Sequence, residues 1–220
     1  DASSVAAVDD FVGGFVACEA RVVNILGAAE HDDSVIVQAC AAALHLFAES
    51  PAGAINARPH LARVAASTLP ATERDPRFAR AVQAWCEQDI GSAIRLLDEQ
   101  LRAHPRDLAS LKLAQYFCFN LGDAPAMLRL ALGSQRAAAD VPYLHGMTAF
   151  GYEQCHRLRE AESAARRAVA MRPDEPWAHH ALAHVMLTEG RIAEGRAFMH
   201  DASRTWIGLN SFMETHNGWH

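Results

Sequence analysis

The chain has 220 residues, 50% of them hydrophobic, and a formal net charge of −6. This length and composition are enough to bury one substantial core. No stretch approaches the eighteen apolar residues of a membrane span, and the N-terminus lacks the basic region of a signal peptide, so we expect a soluble protein without a membrane partner. The arginines are dispersed along an acidic chain, which argues against nucleic acid as a partner.

The cysteines argue against a disulfide scaffold. They are odd in number, widely spaced and free of any C-x-x-C pair, a pattern that also disfavours a thiolate metal site. A reducing, cytoplasmic location is therefore expected. The five residues are Cys18, Cys40, Cys86, Cys118 and Cys155.

Apolar residues recur at steps of three and four, and alanine and leucine dominate, which predicts an all-α protein. Glycine, proline and acidic clusters separate the helices, beginning with the glycine pair at 13–14. The predicted helices cover residues 4–13, 15–28, 33–49, 54–69, 74–87, 90–103, 107–121, 124–136, 142–156, 158–171, 175–189, 192–206 and 211 onward.

The second half of the chain repeats itself with a period of about 34 residues. Segments such as "EQDIGSAIRLLDEQLRAHP" and "CHRLREAESAARRAVAMRP" superimpose in this register. The turn between the two helices of each repeat is predicted at Gln88, Gly122, His156 and Gly190. Close helix packing is predicted at Ala93, Met127, Ala161 and Gly195, and on the preceding helix at Ala81, Gln115, Ala149 and Ala183.

A unit of helix, turn and helix with this period resembles the tetratricopeptide repeat, and four repeats cover about residues 73 to 206. The resemblance implies a right-handed α-α superhelix of antiparallel helix pairs, whose first helices line a concave groove. We expect N-terminal helical hairpins over 1–72 that pack on the array, and repeats over 73–220 that include the first helix of a fifth. The pattern departs from the family at Met127, Gln115 and His156, and one closing proline is displaced to Pro142.

Several segments resemble the family of tetratricopeptide repeat protein 38 more narrowly, among them "GMTAFGYEQCHRLREAE", "DEPWAHHALAHV" and "THNGWH". This resemblance covers most of residues 70 to 220. It implies a helical array roughly twice this long, with no established biochemical activity. We therefore expect the sequence ending at His220 to be a fragment.

The tetratricopeptide resemblance implies a set of groove-facing positions on the first helices. Aromatic side chains at these positions favour an extended peptide, a protein partner or a small-molecule ligand. Burial by the N-terminal helices, or by the C-terminal half that we expect to be missing, is the alternative for about half of them. The candidate groove residues are Trp85, Lys112, Tyr116, Phe119, Tyr143, Phe150, Glu153, Trp177, His180 and His184.

Two histidine pairs stand four residues apart, a spacing that places both imidazoles of a pair on one helical face. They are His180 with His184 and His216 with His220. In the repeat register the two faces adjoin, so all four can share one divalent ion such as zinc, iron, manganese or nickel.

Glu153 and Glu214 are candidate carboxylate ligands or general bases for such a site, and Glu153 is the candidate catalytic residue. A polar groove or structural hydrogen bonding is the alternative use of the four imidazoles. The chain lacks the H-E-x-x-H pattern of zinc proteases. His179 is expected to pack or face solvent on another side.

Two hypotheses follow, and the first is favoured. In the first, the chain is a binding module whose groove takes a peptide, protein or small ligand. In the second, it is a metal-dependent enzyme built on His180, His184, His216 and His220.

Overall fold

The computed structural model describes residues 2–220, which form an all-α fold of thirteen α-helices. The helices are α1 Ala2–Ala17, α2 Asn24–Ala29, α3 Val35–Phe47, α4 Gly53–Ala66, α5 Arg74–Cys86, α6 Ile90–Ala103, α7 Leu108–Asn120, α8 Ala124–Ser134, α9 Pro142–Gln154, α10 Leu158–Met171, α11 Pro176–Thr188, α12 Ile192–Ala202 and α13 Ser211–Trp219. Short 3-10 turns cover Ala20–Val23 and Ser203–Thr205. Within residues 2–220, no helix combines the length and apolarity that a bilayer crossing requires.

The helices divide into two compact units. The N-terminal unit comprises the chain up to Phe15 together with Arg21–Phe117, and the C-terminal unit comprises Val16–Ala20 and Cys118–His220. In the N-terminal unit, α3 packs on both α4 and α5. In the C-terminal unit, α9 packs on α8, α10 and α11, and α11 also packs on α12 and α13.

The first helix differs from the prediction, because α1 continues through the glycine pair at 13–14 instead of ending there. A Cβ at Gly14 would lie 2.7 Å from the backbone nitrogen of Val22. The missing side chain of Gly14 therefore allows the following segment to approach α1. The glycine pair does not mark the end of the helix. The helix ends instead before Cys18, whose φ is 59°.

The predicted repeat period appears as one backbone motif formed four times. The four predicted turn residues, Gln88, Gly122, His156 and Gly190, all have positive φ, between 56° and 74°. Each donates its N–H to the carbonyl three residues earlier at 2.8–3.1 Å, and the next residue donates to the carbonyl five residues earlier at 2.8–2.9 Å. These two bonds define a Schellman motif, which satisfies carbonyls that the helix end leaves unpaired. The same backbone motif therefore recurs at all four predicted turn positions.

A buried carboxylate, Asp107, fixes the start of α7 within the N-terminal unit. Its Oδ2 accepts from Arg74 Nε at 2.7 Å and from Gln100 Nε2 at 3.0 Å. Its two oxygens also accept from the N–H of Ser110 at 3.1 Å and the Ser110 hydroxyl at 2.9 Å. Only 2% of the Asp107 side chain is exposed. Burial opposes its charged form, but Arg74 and the other donors outweigh burial and lower the pKa of Asp107.

Replacing Asp107 with alanine should destabilise the N-terminal unit by about 2–4 kcal/mol, because Arg74 and the amide donors lose a buried partner. Urea unfolding followed by circular dichroism measures this change. Glu99→Ala, which removes an exposed partner of Arg95, is the control and should cost less than about 1 kcal/mol. Equal losses of unfolding free energy in the two variants would show that the hydrogen bonds of Asp107 do not stabilise the unit.

The Asp107 carboxylate should also make the free energy of unfolding depend on pH in the acidic range. Because the folded pKa of Asp107 lies below its ordinary value, its contribution is fully present above the unfolded pKa of about 3.9 and disappears as pH falls through the folded pKa. The stability difference between the native chain and Asp107→Ala should therefore stay constant from pH 7 to about 5 and shrink at lower pH. Paired unfolding curves across this range test it, and a difference that grows in acid would refute it.

Candidate functional site

Three of the predicted groove residues contact the N-terminal helices within the N-terminal unit. Trp85 is buried, and its ring meets that of Phe47 edge-on at 5.6 Å between centroids. The Lys112 amine donates to the backbone carbonyl of Phe15 at 2.5 Å, and the Tyr116 hydroxyl donates to the Glu49 carboxylate. These contacts engage all three side chains, and the remaining candidates lie in the C-terminal unit.

In the C-terminal unit, aromatic side chains form a continuous row along three successive first helices. Ring centroids lie 5.5 Å apart for Phe119 and Phe150, 5.3 Å for Phe150 and Trp177, and 5.6 Å for Trp177 and His180. Phe119 is 45% exposed, and the row becomes more buried toward His180. We call Phe119, Phe150, Trp177 and His180 the aromatic row.

Tyr143, the remaining aromatic candidate, lies outside this row. The Arg172 guanidinium lies over its ring at 5.1 Å, so a cation–π contact already uses that face. Burial, opposed by the charge of Arg172, raises the pKa of Tyr143 to about 12. The phenol is therefore neutral at physiological pH.

The structure brings His180, His184, His216 and His220 together, and we call these four residues the histidine cluster. His180 and His184 come from α11, and His216 and His220 come from α13 and its C-terminal end. The Nε2 atoms of His180 and His216 are 2.9 Å apart, and those of His184 and His220 are 3.2 Å apart. The centroid of the His180 ring lies 4.3 Å from that of His184, 4.8 Å from His216 and 5.1 Å from His220.

His180 is the most enclosed member of the cluster, with only 3% of its surface exposed. Burial, reinforced by the neighbouring imidazoles, lowers its pKa well below the ordinary value. Burial and neighbouring imidazoles also lower the pKa of His216 and that of His220. These imidazoles are therefore neutral at pH 7, and a neutral imidazole keeps one nitrogen lone pair for a ligand.

Glu153 contacts the cluster through His184. Its Oε1 lies 3.1 Å from His184 Nδ1, and its Oε2 accepts from Gln154 Nε2 at 2.7 Å. A carboxylate that accepts from Nδ1–H leaves the lone pair of His184 on Nε2, which faces His220. Glu153 is therefore placed to orient the His184 imidazole.

Glu214, the other carboxylate candidate, lies in the exposed first turn of α13. The hydrogen bonds of the cluster run among its own imidazoles and to Glu153, and within residues 2–220 none of them reaches Glu214. The structure therefore brings Glu153 to the cluster and leaves Glu214 apart from it.

The start of α11 is set by Glu175, which sequence reasoning missed. This fully buried side chain caps the helix by accepting from the N–H of Trp177 at 3.2 Å and of Ala178 at 2.5 Å. Its carboxylate lies against Gly146 of α9, where a Cβ would come within 2.8 Å of the carboxyl carbon. Glu175 stands two repeat periods after Asp107, and that equivalence is the signal that could have identified it.

Residues outside the histidine cluster shape α13 and hold it against α11. Asn210 caps it by accepting from the N–H of Met213 at 2.9 Å, and Met213 is fully buried. The buried Asn217 amide donates to the Pro176 carbonyl at 3.2 Å. Phe212 stacks on His216 at 5.4 Å between centroids, which orients that imidazole.

Two further histidines, in equivalent positions of consecutive repeats, connect their helices to the loops before them. His145 and His179, one repeat period apart, each place Nε2 2.9 Å from the carbonyl six residues earlier, of Ala139 and Pro173. Because a carbonyl only accepts, Nε2 carries the proton in both. His179 Nδ1 in turn accepts from Trp206 Nε1 at 3.1 Å, so this residue is packed and hydrogen-bonded within the core.

Comparison with known proteins supports the fold. The MamA fragment "41-end from Desulfovibrio magneticus RS-1" superposes with a TM-score of 0.54 at 14% sequence identity, over 77% of this chain and 97% of that one. The structure described as "MamA MSR-1 C2" superposes with a TM-score of 0.50 at 14% identity and the same coverage. MamA is a tetratricopeptide-repeat-like helical protein, so this chain shares that type of fold. No protein-family model matches the chain.

Gly146→Ala should destabilise the C-terminal unit by about 1–3 kcal/mol, because the added methyl group displaces the Glu175 carboxylate that caps α11. Thermal unfolding by calorimetry measures the loss. The matched control is Gly133→Ala in α8, where a Cβ meets no atom within 4 Å. The control should be neutral or slightly stabilising. A Gly146→Ala variant as stable as the control would show that the contact with Glu175 does not constrain the helix.

Proposed function

We propose that the chain is a protein-interaction module that binds an extended segment of a partner protein on the aromatic row of the C-terminal unit. The sequence leaves a peptide, a protein or a small molecule as candidate ligands, and this proposal narrows them to a peptide segment with apolar side chains. Tetratricopeptide-like folds suggest protein interaction in general, and the row supplies a specific surface.

The observation that carries this proposal is the continuity of the row. Neighbouring aromatic rings from three consecutive first helices lie 5.3–5.5 Å apart, and the row ends at His180. Rigid aromatic side chains supply large contact areas at low entropic cost and dominate measured binding energies. The exposed edge at Phe119 gives a partner access to the row.

We also propose membership of the tetratricopeptide repeat protein 38 family. The support is in the sequence, where "DEPWAHHALAHV" and "THNGWH" resemble that family. The same two segments supply the histidine cluster.

The second candidate is a metal-dependent enzyme, and one observation favours it. Four imidazoles from two helices meet within hydrogen-bonding distance in pairs, beside the carboxylate of Glu153. Such a site could activate water if one coordination position stayed open. The enzyme hypothesis therefore requires metal binding first, while the interaction module does not.

Phe119→Ala should weaken peptide binding at least about fivefold, because an aromatic anchor contributes more than about 1 kcal/mol to an interface. Peptides are selected from a random phage-displayed library on the native chain, and their dissociation constants are measured by fluorescence anisotropy. The matched control is Leu121→Ala, two residues away and 63% exposed but outside the row, which should bind within about twofold of the native chain. The proposal fails if the selected peptides bind the two variants equally.

A further inference from the structure

We propose that the histidine cluster binds one divalent transition-metal ion through imidazole nitrogens of His180, His184, His216 and His220, with Glu153 as a positioning residue for His184. His180 belongs to both the aromatic row and the histidine cluster, but the two proposals are tested separately, because the peptide test changes Phe119, which is not a ligand.

The spacing of the ring nitrogens supports coordination to a single ion. His180, His216 and His220 offer ligand atoms that all lie within 4.8 Å of one another, and His184 Nε2 lies 3.2 Å from His220 Nε2. Four nitrogens around one ion at bonds of about 2.0–2.1 Å stand about 3.3 Å apart. Small side-chain rotations close the remaining difference.

The orientation of His184 matches a recurring feature of metal sites. Metal-bound histidines usually donate their second ring N–H to a carboxylate, which fixes the tautomer and makes the ligand nitrogen more basic. Glu153 accepts from His184 Nδ1 in this way, and Gln154 holds its other oxygen. The carboxylate is thus placed to orient the imidazole while Nε2 faces the cluster.

His180 provides a second, independent observation. Its Nδ1 is buried and has no hydrogen-bond partner among the residues that the structure describes. A buried ring nitrogen without a partner is costly, and such atoms commonly mark an ion or water site. Coordination of an ion through this nitrogen would supply the missing interaction.

The donor set selects the class of ion. Imidazole nitrogens suit zinc, copper, nickel and ferrous iron, whereas magnesium, calcium and manganese prefer carboxylate, carbonyl and water oxygens. The donor atoms that lie together in the cluster are imidazole nitrogens, and Glu153 contacts the cluster through His184 Nδ1. We therefore assign the site to zinc or a metal of similar preference.

Metal binding is tested on the untagged chain after chelator treatment and dialysis. Zinc is titrated by calorimetry, bound metal is measured by mass spectrometry, and cobalt(II) serves as a spectroscopic probe. We expect one ion per chain and visible cobalt bands typical of a four-coordinate nitrogen site. Failure to retain a stoichiometric ion of either metal would overturn the proposal.

The decisive variant is His216→Ala with His220→Ala, since both side chains are only partly buried and α13 keeps its Asn210 cap. It should bind zinc at least about 100-fold more weakly, beyond the roughly 10–100-fold effect of an outer-sphere change. The control removes two exposed imidazoles elsewhere, His31→Ala with His200→Ala, and should bind like the native chain. Retained binding in the first variant, or equal loss in the control, would refute the site.

Glu153→Gln separates an orienting role from ligation and provides a second readout if the double variant fails to fold. It should keep one ion per chain and the cobalt band positions while binding zinc about 10–100-fold more weakly. Unchanged affinity would overturn the role assigned to Glu153, and circular dichroism of each metal-free variant checks that the fold is retained.

Discussion

Each repeat reverses between its two helices at a residue with positive φ, and two backbone hydrogen bonds close that reversal. Two of the four residues are glycine, but Gln88 and His156 hold the same left-handed conformation at a cost of about 1–2 kcal/mol. They keep it because the Schellman bonds and the packing of the helix pair require it. This turn fixes the rotation of each first helix relative to the first helix of the next repeat, so side chains at equivalent positions lie next to one another. The contact of Phe150 with Trp177 and the contact of Glu153 with His184 both depend on that rotation.

Buried carboxylates cap the start of two of the first helices, α7 and α11. Asp107 and Glu175 occupy equivalent positions two periods apart, and each accepts from backbone N–H groups at the start of its helix. Asp107 forms an ion pair with Arg74, and the Glu175 carboxylate lies against the backbone of Gly146. Negative charge is favoured at a helix N-terminus, where the unpaired N–H groups point outward. The rotation of α11, and with it the direction of His180 and His184, is fixed by this cap.

The features that sequence could predict are those encoded locally. Turn positions and helix bounds follow from short-range backbone preferences, and the i, i+4 histidine pairs follow from helical geometry. The misplaced break at Gly13 and Gly14 shows the limit, since close approach of a later segment explains those glycines. The covering of Trp85 and Tyr116 depends on Phe47 and Glu49, which no local pattern connects to them. The pairing of Glu153 with His184 and of Asn217 with Pro176 likewise arises from tertiary packing.

The hydrogen bonds of His145 and His179 show that histidines serve two separate purposes in this chain. Each of these imidazoles ties its helix to the carbonyl of the loop before it, and in His179 both ring nitrogens are engaged. A substitution at His179 would thus release Trp206 and the entry to α11, shifting His180 without altering a single candidate ligand. Loss of function at such a position would come from displaced helices, although it would resemble the loss of a ligand.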